Sequence, residues 1–330
     1  MRRRTFIGLL GGTAASWPLM VHAQQRKRVR RIGVLMHLAA DDQEGQSRLA
    51  AFLQGLQEAG WAVGHNITID VRWAAADVEL MKRVAKELAA LEPDLIFTSS
   101  TPAAAAMLQA THTIPVVFVL VADPVGTGLI ASLPRPGGNM TGFAPIVPSL
   151  GGKWVELIKE IAPRLTRVTM LYNPPSATFI ESFVKPFETA ASSLGMKAVV
   201  VPVANMDAVE SLVTAEARTP DSALVVIPDA FTELHRAEIV ALTVRHQIPA
   251  INWSRSFAES GGLISYGPSL VDEYRRGAAY ADRILKGESP SELPVQTPVK
   301  FELVINLKTA QTLGLNVSAA LQSRADDMIE

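Results

Sequence analysis

A chain of 330 residues, 48% hydrophobic and 19% charged, holds enough apolar material for two folded lobes of ordinary size and lies far from disordered compositions. Its formal charge of −1 provides no basic face for a nucleic acid, so none is expected as a partner. The absence of cysteine excludes disulfides, zinc–thiolate sites, thiol nucleophiles and lipid attachment through cysteine.

The opening MRRRTFIGLLGGTAASWPLMVHAQQ has the three parts of an export signal: a basic end, a short apolar run, and V-H-A before Gln24. Arg3-Arg4-Thr5-Phe6-Ile7 is similar to the twin-arginine type, whose passengers cross already folded. A membrane span needs roughly 20 apolar residues, and this shorter run is also interrupted by Pro18. Residues 1–23 are therefore expected to be a signal peptide cleaved after Ala23, leaving a periplasmic protein; retention as an N-terminal anchor is the alternative. Loss of Arg2, Arg3 and Arg4, with no acid beside them, takes the formal charge from −1 to −4. Outside the cytoplasm ATP and nicotinamides are scarce, and no cofactor is expected.

Beyond the basic connector 24–31, short β-rich runs alternate with helical ones. Strands are expected at 32–36, 67–73, 95–98 and 116–121, and helices at 43–59, 78–91 and 102–110. In the second helix Leu80, Val84, Leu88 and Leu91 form one stripe. The alternation restarts with helices at 153–161, 179–194, 207–217 and 233–246, and strands at 168–172, 198–202, 224–228 and 250–252. Ser269 is expected to cap a helix over 271–285, with Asp272 as capping-box partner, Gly287 as the stop, and Tyr274, Ala278, Ala281 and Leu285 as its buried stripe. Near-continuous apolar strands imply parallel sheets covered on both faces. The fold class is therefore α/β, with two Rossmann-like lobes and a ligand cleft at the carboxyl ends of their strands.

Gly126–Ala131, GTGLIA, matches G-x-G-x-x-A, but its context does not suit a dinucleotide. Four residues separate it from the preceding strand, that strand is the fourth in its lobe, and no acid follows at the spacing a ribose requires. There is no P-loop, since Gly152-Lys153 precedes Trp154, and no G-x-S-x-G or H-E-x-x-H. The six histidines are scattered, so no metal site is indicated and no catalytic residue is assigned.

The strand-end loops supply candidate ligand contacts instead. Ser99, Ser100 and Thr101 precede Pro102 at a helix start, where backbone N–H groups and hydroxyls suit a carboxylate. Capping by Thr101 without ligand contact is the competing reading. Asp123 could face an ammonium group or simply form a turn before Pro124. Asn173, Asp229 and Trp253 occupy the equivalent strand ends of the second lobe, as ligand contacts or as turn and packing residues. His37, in the first loop, is a weaker candidate.

ADPVGTGLIASLPRPGGNMTG and GGLISYGPSLVDEYRRGAAYADRILKGESPSELPVQTPVKFELVINLKTAQTLGL resemble the ABC transporter substrate-binding protein family that includes tryptophan- and tyrosine-binding members. The resemblance runs from about Arg31 to Glu330. It implies a type I periplasmic binding protein, with lobes at about 30–144 plus 268–287 and 145–267 plus 288–330, joined by three crossovers. On that template the glycines from Gly126 to Gly142 shape a helix start, and Met140–Phe143 cross between lobes. The implied function is capture of a small polar ligand, favoured as an aromatic or branched amino acid, and delivery to a membrane permease served by a separate ATPase. A sensory binding protein that presents its ligand to a membrane receptor or kinase is the alternative.

Overall fold

The structure is a computed structural model that describes residues 29–330, residue 299 aside. The expected signal peptide lies outside the described residues. Chain order gives β1 (Arg30–Met36), α1 (Gln43–Glu58), β2 (Ile67–Trp73), α2 (Val78–Ala90), β3 (Leu95–Ser99), α3 (Thr101–Ala110), β4 (Val116–Val119) and β5 (Met140–Gly142). The five strands form a parallel sheet in the order β2-β1-β3-β4-β5. β3 and β4 are buried along their whole length, as expected of a sheet with both faces covered. Asp42 and Asp77 start α1 and α2 by accepting the backbone N–H groups of Gly45 and Leu80. The apolar stripe of α2 is turned slightly from its expected position, onto Met81, Val84, Ala85 and Leu88, with Leu80 and Leu91 at its margins.

The second lobe continues with α4 (Leu150–Ile161), β6 (Arg167–Tyr172), α5 (Ile180–Ser193), β7 (Lys197–Pro202), α6 (Met206–Ala217) and β8 (Ser222–Val226). Then come α7 (Ala230–Leu234), α8 (Arg236–Arg245), β9 (Ala250–Asn252), α9 (Arg255–Glu259) and β10 (Ile264–Gly267). α10 (Leu270–Leu285) returns to the first lobe, and the chain ends in the second with β11 (Glu302–Asn306), α11 (Leu307–Thr312), α12 (Ala319–Gln322) and β12 (Asp327–Ile329). The second sheet runs β12-β11-β10-β9-β8-β6-β7, parallel except where β10 meets β11.

Three chain segments join the lobes: 143–149, 268–269 and 297–301. Between the last two, α10 lies along α1 so closely that a Cβ on Gly55 would fall 2.7 Å from that of Ala278. Its expected stripe is buried, and Tyr274 joins an aromatic pile in which Phe52 and Phe97 stack with ring centroids 3.9 Å apart.

Several local expectations are corrected. Met140–Gly142 is a fifth strand paired with β4, so the crossing begins only at Phe143. A Cβ on Gly142, at φ +152°, would lie 1.9 Å from the Phe118 carbonyl oxygen, and only glycine lets β5 approach this closely. The GTGLIA stretch is a turn, not a helix start: Asp123 accepts from Gly126 and Thr127, and no phosphate-type helix N-terminus follows. The Ser269 side chain makes no capping bond to α10. The single helix expected over 233–246 is two, α7 and α8, meeting at His235. Residues 290–296, placed with the second lobe in the sequence-based division, bond to the first: Val295 donates to Leu133, and Gln296 donates to Gly142 while accepting from Ala144.

Candidate functional site

Loops leaving the strands of both lobes meet around one enclosed space. Its lining includes His37, Ser100, Thr101 and Leu120 from the first lobe, Ile146 from a crossover, and Ser176, Phe179, Asp229, Glu233 and Trp253 from the second. The volume open to the centre of a water-sized sphere is about 10 Å³, about the room for a single water.

On the first-lobe side, β3 runs directly into α3. Ser100 is the N-cap, its hydroxyl accepting weakly from Ala103 at 3.5 Å, and its backbone stands at φ +85°, ψ +153°. That region is nearly closed to residues with a Cβ, so strain is stored where the chain turns into the cavity. The Thr101 hydroxyl does not cap the helix; it accepts from Ala122 N–H at 3.0 Å and ties α3 to the loop after β4.

On the second-lobe side Asp229 caps α7 in a reciprocal box with Thr232. Its two oxygens also accept from Asn173 N–H and the Ser176 hydroxyl, each at 2.9 Å. Burial pushes this carboxyl up to about 6 even though backbone N–H groups from Asn173 and Thr232 draw it down. Asn173 stands behind it, its amide nitrogen bonded to Val203 and Ala204 and its oxygen to Ser176. Trp253 follows β9 into the cavity wall. A Cβ on Gly267 would meet the Trp253 carbonyl oxygen at 2.1 Å, so that glycine allows the strand before α10 to pass the tryptophan.

Of the sequence-derived candidates, the structure brings His37, Ser100, Thr101, Asp229 and Trp253 to the cavity wall. Ser99 sits one layer back, held to His37, and Asn173 one layer behind Asp229. Asp123 lies outside the lining in its proline turn.

Of the charged centre of the site, sequence reading named only His37 and missed Glu233 and Arg48. Glu233, from α7, crosses the cleft: one oxygen accepts from His37 Nε2 at 2.6 Å and Arg48 at 3.1 Å, the other from Arg48 at 3.5 Å and Trp253 Nε1 at 3.2 Å. Ser99 then serves the other imidazole nitrogen, Nδ1, at 2.8 Å, a set of partners that fits the Nε2–H tautomer. Burial alone would raise Glu233, but the Arg48 charge and the His37 hydrogen bond outweigh it and hold the carboxyl far below its ordinary range. Arg48 is 1% exposed and also takes Glu44 one turn away. A usable signal was present: Arg48 shares the buried stripe of α1 with Gly45 and Phe52, where an unpaired charge would be costly.

The chain matches the family model for ABC transporter substrate binding proteins over residues 32–329. A tyrosine-binding protein of Clostridioides difficile (strain R20291) is 27% identical over 269 residues, which are 82% of this chain and 77% of that protein. A crystal structure of a conserved domain protein from Vibrio cholerae superposes with a TM-score of 0.84 at 28% identity, covering 91% of this chain and 100% of the other. An ABC domain from Streptococcus pneumoniae in complex with L-Trp gives 0.83 at 27% identity, covering 91% and 99%. The ligand-free, open form of a Clostridium difficile substrate-binding protein gives only 0.67, at 26% identity and the same coverages of 91% and 99%. With its two α/β lobes and the match spanning nearly every described residue, this chain belongs to the ABC transporter substrate binding protein family.

Proposed function

We propose that the protein is the periplasmic binding subunit of an ABC importer, taking up an amino acid with an apolar, aromatic or branched side chain by lobe closure. The observation that carries this reading is the enclosed space walled by strand-end loops of both lobes, with hydroxyls and a helix start on one side and Trp253 and Phe179 on the other. The ligand carboxylate would meet α3, where backbone N–H groups and the hydroxyls of Ser100 and Thr101 gather. The ammonium group would meet the polar wall of Asp229 and Ser176, and the side chain would pack among Leu120, Ile146, Phe179 and Trp253.

Room for a single water does not admit an amino acid, so entry requires the lobes to part about the three connecting segments, and the ligand-bound closed form must keep them further apart than they stand here. The better superposition on the L-Trp complex than on an open relative of similar identity supports the described state as the closed one. Closure responds to ligand only as far as ligand prefers the closed state. Cross-cleft contacts provide that preference. A membrane permease and a separate ATPase would complete the transporter.

Thermal unfolding of residues 24–330 against amino acids, carboxylates, sugars and nucleosides tests the reading. A ligand at 100 times its Kd stabilises by about 2.7 kcal/mol, a shift of a few degrees. A shift with Trp, Tyr, Phe or a branched-chain amino acid is expected, and replacing Ser100 and Thr101 by Ala should weaken that ligand at least tenfold. Stabilisation by a sugar or nucleoside alone would overturn the amino-acid assignment.

A further inference from the structure

Glu233 stands where a ligand bridging the lobes would have to stand. It belongs to the second lobe, through the α7 turn capped by Asp229, yet it bonds to Arg48 and His37 of the first. Those partners are already aimed. Glu44 fixes Arg48 on its own helix, and Ser99 fixes the His37 ring. Nearby, Arg236 of α8 bonds to Asp42 at 2.8 Å, a second link between the same two chain regions. Neither link belongs to the hydrophobic core of a single lobe. Both exist only while the lobes are together.

We infer that Glu233 is the protein's own closure residue: its carboxylate takes the Arg48–His37 site and holds the lobes together, so these two basic side chains are not the receptor for the ligand's carboxylate. The inference rests on the lobe-closure reading above and adds to it what sets the resting balance. Parting the lobes exchanges a buried ion pair for two hydrated ions, and such exchanges are close to balanced. A ligand of modest affinity can then tip the protein from open to closed. Removing the carboxylate has a larger effect than the net value of the pair, because closure would bury Arg48 with only Glu44 to answer its charge.

The chain has no cysteine, which allows a direct distance measurement. Spin labels on Asp41→Cys and Ala237→Cys, exposed neighbours of the Asp42–Arg236 contact, report separation of the cleft rim in the ligand-free protein. In the otherwise native sequence the short and long distances should both be populated. Glu233→Gln should cut the short-distance fraction at least tenfold, and Glu233→Asp, which keeps the charge but loses reach, should give an intermediate value. Should the Gln variant fail to fold, the Asp variant decides alone. Distributions that superimpose on the parent overturn the inference. Ligand stabilisation without any distance change sinks the closure residue and spares the amino-acid reading; a distance change with a silent amino-acid panel does the reverse.

Discussion

Two buried carboxylates, one across the centre of the cleft and one at its hinge, face opposite electrostatic surroundings. Glu233 is 7% exposed and every direction around it is answered, by Arg48, His37 and Trp253. Glu273 is 3% exposed, in the first turn of α10 between the crossing segments. Its Oε1 lies 3.5 Å from Arg276, whose guanidinium stacks over Phe143 of another crossing, while its Oε2 has no protein partner among the described residues. Burial therefore dominates, and with Asp272 adding repulsion against the pull of Arg276 the carboxyl rises to about 7. Equal burial thus says nothing about ionisation; the supply of donors decides it.

The comparison breaks most severely at Arg48. Arg48→Met would leave Glu233 buried without its main counter-charge, a loss of about 3–5 kcal/mol in the closed form. Ligand affinity measured by calorimetry should fall at least a hundredfold, while urea unfolding of the ligand-free protein changes far less, since an open cleft hydrates the stranded acid.

The hinge carboxylate supplies the next largest effect, with the opposite pH signature. A raised folded pKa means that the native state keeps its proton where the unfolded chain has lost it. This contribution to stability is full at pH 4, falls as pH rises from about 4.5 to 7, and is gone above. Glu273→Gln should abolish that decline and exceed the parent by about 1–3 kcal/mol at pH 8, in denaturant curves taken across the range. Asp229 has the same sign over a lower window, from about 4 to 6. Glu233 runs the other way: its lowered pKa gives stability present above about 4.5 and lost as the pH falls further.

Smaller effects sharpen the contrast. Arg236→Ala removes a partly hydrated rim pair, so ligand affinity should change by no more than about 1 kcal/mol, roughly fivefold. Ser100→Gly removes the Cβ from a strained backbone and should raise thermal stability by about 0.5–1 kcal/mol, while loss of the hydroxyl weakens the ligand.

The sequence made the scaffold readable where one local force ruled. The apolar runs of β3, β4 and β8 lie within the chain segments they organise. Strands β10, β11 and β12 are only three to five residues long and take their identity from sheet partners distant in sequence, so no periodicity announced them. The same limit hid the site's centre. Asp229 and Trp253 stood at recognisable strand ends, but Glu233 meets Arg48 across 185 positions of chain, and no spacing rule relates them. Asp123 shows the converse, since its turn was legible while its distance from the cavity was not.

The return of α10 to the first lobe has a consequence for the order in which the protein is made. Phe97 and the rest of its aromatic pile wait for Tyr274, and β5 waits for the strap at Gln296. A ribosome that has released the whole first sheet has therefore produced a lobe with an uncovered apolar face. That face closes only after the second lobe has been made in between. Assembly is bound to the last third of the chain, so a truncated product would present exposed apolar surface to quality control and could not serve as a free-standing half.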